Sequence, residues 1–156
     1  MRKWLWFMIA LVVVLTDQAS KYWASQVLIL YHPEPVFSML NMTLAYNTGA
    51  AFSFLRDAGD WPRWAFAGFS AVMSIIIVVV ILRLPSRNRW QLLAFSLILG
   101  GAIGNLIDRV YLGHVIDFIE VYYHRFHWPV FNLADSAICI GAFLLFFQGL
   151  SKDGGA

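Results

Sequence analysis

Four stretches of this chain, residues 4–23, 64–82, 90–107 and 130–150, are apolar over close to the length of a membrane-crossing helix. About 20 predominantly apolar residues traverse the hydrocarbon layer, and a backbone placed there must satisfy its own hydrogen bonds, so each stretch is expected to be a helix. Tryptophans open three of them (Trp4, Trp64, Trp90) and Trp23 closes the first, as suits indole rings anchored at headgroup level. The second and third stretches carry no charged residue. Of 156 residues, 60% are apolar and 13% charged, too few charges to coat a water-soluble domain. The expectation is one integral membrane domain over residues 1–156, without internal repeats.

Charge placement sets the expected orientation. Arg2 and Lys3 precede the first span, Arg83, Arg87 and Arg89 crowd the link 83–89, and Lys152 follows the fourth span. Basic residues near span ends stay on the cytoplasmic side, so both termini are expected there. The longer connections, 24–63 and 108–129, then lie outside, and Asp17, Asp108, Asp117 and Asp135 all fall toward that outer face. The net charge of +2 is dispersed, which gives no footprint for a nucleic-acid partner. The first span resembles a secretory leader in its basic start. It is followed by Thr16, Asp17 and Gln18 rather than a small-residue cleavage site, and is expected to remain uncleaved.

Within the first outer loop, residues 36–55 alternate in part, with Met42, Leu44 and Tyr46 on one side and Asn41 and Thr43 on the other. Asn47-Thr48-Gly49 is a turn signal, so a short β-hairpin or small sheet on the membrane surface is expected. Gly49, Gly59 and Gly113 are candidate hinges. Gly100 and Gly104 form a small-xxx-small pair that lets a neighbouring helix approach. The lone Cys139 excludes an intrachain disulfide and, with no basic activator within a helical turn, is expected to pack rather than to react. The tail from Ser151 is expected to be unstructured.

The polar residues gathered toward the outer face are Asp17, Lys21, Asn47, Asn105, Asp108, Arg109, Asp117, Asn132 and Asp135. Several have plain structural explanations. Asp17 and Lys21 stand i, i+4 on one helix face, Asp108 beside Arg109 suits a surface ion pair, and Asn132 suits a cap on the fourth helix. Asp135 reads as about a turn and a half inside the fourth span, too deep for a cap, and an acid in hydrocarbon asks for a function. Asp117 alone fits an ordinary loop acid equally well. If the fold brings the two together they cannot both ionise, and a carboxylate and a carboxylic acid side by side supply a base and an acid for peptide hydrolysis. A metal site from His114, Asp117, Glu120, His124 and His127 is a rival, weakened by the lack of an HExxH pair. A small proton-coupled transporter and an assembly scaffold also remain open, the first without the inverted repeat or broken helices common in that class.

Five blocks carry a resemblance. Asp17-Gln18-Ala19-Ser20-Lys21, Asn47-Thr48-Gly49-Ala50-Ala51-Phe52, the run from Gly100 through Asn105 to Asp108-Arg109, Val115-Ile116-Asp117-Phe118, and Phe131-Asn132-Leu133-Ala134-Asp135-Ser136 resemble, in order, the signature blocks of bacterial lipoprotein signal peptidase, or signal peptidase II. The resemblance implies an all-α membrane protein with four transmembrane helices and a small extracytoplasmic β-sheet, the cradle. It implies a monomeric aspartic endopeptidase of the bacterial inner membrane. Its substrates would be lipidated prolipoproteins, cut before a diacylglyceryl-modified cysteine, with no cofactor and no metal. Matched by motif, Asp117 and Asp135 correspond to the catalytic pair, and Asn47, Gly49, Asn105, Asp108, Arg109 and Asn132 to substrate-pocket positions. Asp17 and Lys21 correspond to supporting positions. Membrane lipids and the peptide antibiotic globomycin are the further implied partners, and the segment between cradle and second span is expected to clamp substrate.

Overall fold

A computed structural model describes residues 3–49 and 61–153, the side chains of 149–153 excepted. Among the described residues the chain forms four helices and one antiparallel sheet. Helix α1 is Trp4–Val27, α2 Trp61–Arg83, α3 Arg89–Tyr111 and α4 Leu133–Asp153. At 1.5 Å per residue, the 21 to 24 residues of each give lengths of about 32–36 Å. Helices α1 to α3 are long and apolar enough to cross a membrane, and α4 adds an apolar run over Leu133–Gln148. All four expected spans are thus helices. The expected clamp segment and Gly59 lie outside the described residues. The tail differs from expectation, because α4 continues through Ser151 to Asp153.

Helix α3 is the centre of the bundle, packing against each of the other three. Glycines permit this on two faces. A methyl group on Gly100 would lie 2.7 Å from the Ala10 carbonyl oxygen of α1, and one on Gly101 would collide with the Ala134 carbonyl of α4. At the end away from the sheet, Trp6, Ala10, Ile77, Ile81, Leu92 and Leu99 form the apolar core. There Lys3 donates to Ile81 O at 2.7 Å and to Leu84 O, satisfying carbonyls at the α2 C-terminus.

The sheet has the order β1–β2–β3–β4, with β1 Glu34–Phe37, β2 Leu40–Asn47, β3 Val115–Tyr123 and β4 Phe126–His127. The expected small sheet is present, and the second long connection supplies its β3 and β4. The β1–β2 turn lies elsewhere. It falls at Ser38 and Met39, the latter at φ +71°, whereas Asn47 ends β2 and Gly49 leads the chain away at φ +85°. A bulge between Met42 and Ala45 interrupts the alternation. Asn41 and Thr43 are buried as a result of facing Glu120, to whose Oε2 they donate at 3.1 and 2.6 Å.

Candidate active site

Two local arrangements bring β3 and the start of α4 together. Asp108, in the last turn of α3, accepts the Ile116 N–H on Oδ2 at 3.1 Å and so fixes the residue before Asp117. Farther along, Phe131 exchanges hydrogen bonds with Ile119 at 3.0 and 2.9 Å. That bridge lays the entrance of α4 against β3, and Asn132 lands beside Asp117. Its amide donates to Asp117 Oδ1 at 2.6 Å. Ala45, directly opposite Asp117 across the ladder, is small. Asn47, two residues farther on the same face, reaches diagonally to donate to Asp117 Oδ2 at 3.1 Å.

Asp135 sits in the first turn of α4, not a turn and a half inside a span, because the Phe131 bridge delays the helix to Leu133. Asn132 is its N-cap. Its Oδ1 accepts the Asp135 N–H at 2.9 Å, and its own N–H points back to Asp135 Oδ2 at 3.4 Å, a reciprocal capping box. Asp135 Oδ1 accepts the Asn105 amide at 2.7 Å. Asn132 therefore touches both aspartates, and all four of their carboxylate oxygens receive a donor.

Behind this pair lies a buried charge cluster. The Lys21 ammonium meets Asp17 Oδ2 at 2.8 Å, Asp108 Oδ2 at 2.9 Å and Asn105 Oδ1 at 2.9 Å, which uses all three of its protons. Asp17 Oδ1 accepts the Ala134 N–H at 2.9 Å, placing a negative charge at the positive end of α4. The expected i, i+4 pair is present, but it ties α1 to α3 and α4 as well. The expected Asp108–Arg109 pair is not what forms, since Asp108 turns inward to Lys21. Arg109 bonds the Asn105 carbonyl at 3.2 Å, with its guanidinium 5.7 Å from the centre of the Phe66 ring.

Sequence reasoning passed over Gln18, whose amide donates to Asp108 Oδ1 at 2.8 Å, and Arg63, which bonds the Arg109 and Val110 carbonyls at 2.7 Å each. Gln18 carried a signal, being an amide inside an apolar span between two charged residues. Cys139 is exposed rather than packed, on the outward face of α4. Beside it an apolar cleft of about 590 Å³, lined by Trp128, Val130, Phe131, Ile138 and Cys139, reaches Asp135 and Ser136. The rival metal residues divide among other partners: His127 pairs with Glu120 at 2.8 Å, His114 lies on Tyr46, and His124 turns between β3 and β4. Among the described residues no three His, Cys, Asp or Glu side chains gather.

Asp117 is 1% exposed, and burial, reinforced by the negative charge of Asp135, pushes its pKa up to about 7 against the hydrogen bonds from Asn47 and Asn132. Near neutral pH this carboxyl is therefore poised between its two forms, beside a second carboxyl.

Residues 9–151 match the family model described as signal peptidase (SPase) II. The chain is 50% identical to a lipoprotein signal peptidase of Teredinibacter turnerae over 145 residues, 93% of this chain and 86% of that one. It is 46% identical to that of Yersinia enterocolitica over 147 residues, 94% of this chain and 86% of the relative. A solved bacterial membrane enzyme superposes with a TM-score of 0.83 at 33% identity, covering 94% of this chain and 92% of that one. With these likenesses running across the helices, the sheet and the polar cluster alike, the chain belongs to the signal peptidase II family and is a multi-pass membrane enzyme.

Proposed function

We propose that this protein is an aspartic endopeptidase that removes signal peptides from prolipoproteins, cutting before a diacylglyceryl-modified cysteine with a water activated between Asp117 and Asp135. The observation that carries the reading is Asn132, bonded at once to Asp117 and to Asp135, with the buried Asp117 carboxyl able to hold a proton near pH 7. In the step this supports, the ionised member takes a proton from water as its oxygen attacks the peptide carbonyl carbon. The protonated member donates to the developing oxyanion. Collapse of the tetrahedral intermediate breaks the C–N bond, and the proton taken from water passes to the departing nitrogen.

Substrate form suits the site. A lipidated signal peptide is a membrane helix with its cleavage point near the interface, and the apolar cleft that reaches Asp135 offers a hydrocarbon-facing approach. The motif matches support Asn47, Gly49, Asn105, Asp108, Arg109 and Asn132 as the polar pocket around the scissile bond. On the same footing, Asp17 and Lys21 support it from behind. Basic residues at the end away from the sheet favour an inner-membrane placement with both termini cytoplasmic and the site near the outer face. The protein is expected to act as a monomer, without a cofactor, and to bind globomycin.

The test is cleavage of a lipidated precursor by purified protein in lipid nanodiscs. Wild-type turnover that survives a chelator, with at least a 100-fold loss in Asp117→Asn and in Asp135→Asn, is the expected result. Comparable turnover by either variant overturns the reading.

A further inference from the structure

Three asparagine amides point at the two aspartates, and each is oriented by a donor on its oxygen side. Asn47 Oδ1 accepts the Gly49 N–H at 2.9 Å, and Asn132 Oδ1 accepts the Asp135 N–H at 2.9 Å. Asn105 Oδ1 accepts the Lys21 ammonium at 2.9 Å and, at 3.2 Å, the Asn132 amide. Backbone N–H groups and ammonium ions only donate, so in each case the amide nitrogen is forced to the other side. There it meets a carboxylate oxygen: Asp117 Oδ2, Asp117 Oδ1 and Asp135 Oδ1 respectively. Two of these orientations are set by the backbone. The third is set chiefly by a side-chain charge from another helix.

We infer that Lys21 is a positioning residue for the reaction: its ammonium holds the Asn105 amide so that the NH2 group faces Asp135 and keeps that carboxylate an acceptor, ready to take a proton from water. The inference rests on the function proposed above and adds to it which group keeps the base in its reactive form. An unconstrained asparagine can turn its amide over and offer Oδ1 to Asp135, which suits the protonated acid instead. The charged groups around Asp135 and Lys21 are Asp17 on α1, Asp108 and Arg109 on α3, and Asp117 on β3. Asp17 and Asp108 both face Lys21, whose single positive charge offsets one of their two. A Lys21 that acted through its charge alone would do no more than that and lower the Asp117 pKa directly, so its loss would move the pH profile while Asn105→Leu, which keeps the ammonium, would not.

The experiment measures kcat and KM for a lipidated precursor across the acidic and neutral range in nanodiscs, using wild type, Lys21→Gln and Asn105→Leu. A glutamine at 21 can present either end of its own amide, which releases Asn105. Leucine at 105 removes the donor to Asp135 while leaving Lys21 paired with Asp17 and Asp108. In both variants the acidic limb of the kcat/KM profile is expected to move upward by about one pH unit. A limb unmoved in either folded variant overturns the inference. Should Lys21→Gln fail to insert, Lys21→Met combined with Asp17→Asn, which removes the acid left unpaired, takes its place under the same criterion. Wild type that cleaves nothing overturns the proposed function itself, a result distinct from an active wild type whose variants keep its profile.

Discussion

Asp117 is held in place at a cost to the fold. Its folded value of about 7 lies above the ordinary 3.8 because burial and then Asp135 oppose its charge. The unfolded chain sheds this proton first as pH rises, so the stability associated with the neutral form is full below pH 3.8 and is lost as pH climbs through about 7. A shift of that size is worth about 4 kcal/mol, and an asparagine forfeits about 1 kcal/mol by losing one of the two donors the carboxylate accepts. Asp117→Asn is therefore expected to melt above wild type at pH 8 by the equivalent of about 3 kcal/mol, with the gap closing near pH 4. Equal melting at pH 8, read by scanning fluorimetry, contradicts this. Asp117 and Asp135 were both legible as candidates, yet the depth of Asp135 was not. The apolar Val130 and Phe131 read as helix, whereas Phe131 pairs with Ile119 and turns Asp135 into the N3 residue of a capping box.

Helix α3 ends in a turn that carries Asp108 and Arg109, and a neighbouring helix closes that turn. Arg63, in the first turn of α2, donates its Nε to Arg109 O and an Nη to Val110 O, satisfying carbonyls that no residue of α3 can reach. Gly113 at φ +86° passes beside it, where a methyl group would lie 3.2 Å from the guanidinium. Arg63→Ala is expected to cost about 1–2 kcal/mol and to speed amide exchange at Ile116, whose N–H is held by Asp108. Exchange at Ile116 equal to wild type in a folded variant argues against this coupling. None of it was legible, because a cap donated from another helix leaves no local pattern. Strand β3 escaped for a related reason. Residues 115–118 are buried on both faces, so the alternation that betrays a half-exposed strand is missing. The partial alternation of β2 did reveal a strand, although its polar members Asn41 and Thr43 turn inward to Glu120 and the bulge at Met42 to Ala45 breaks the pattern beyond them.

The molecule as a whole is a set of helices drawn around α3 until a polar cluster closes among them, and the closeness of approach sets the geometry of that cluster. Hydropathy revealed the four helices, since bilayer length is a property of each segment alone. Which helix lies at the centre depends on glycine placement, and the sequence pair Gly100 and Gly104 pointed to the right helix. Gly104 is the one of the two that abuts the polar cluster. A methyl group there would lie 2.5 Å from Asp17 Oδ2 and in contact with Ala134 Cβ at 3.4 Å, so the Asp17 carboxylate on α1 would have to give way with α4 closing off the other side. Because Asp17 anchors Lys21 and the Ala134 N–H, displacing it disturbs the support behind Asn105 and the start of α4 together. Gly68 in α2 is the internal control, with nothing within 4 Å of an added methyl group. Gly68→Ala is expected to leave turnover intact and to stabilise the helix by up to about 1 kcal/mol through backbone entropy. Gly104→Ala gains the same helix propensity yet is expected to lose at least about 2 kcal/mol net and most of its turnover, because the strain falls on a buried charge network rather than on lipid. Thermal unfolding and precursor cleavage of the two variants, measured side by side, check the contrast. A Gly104→Ala protein as stable and active as Gly68→Ala would mean that the helices can part without loosening the site.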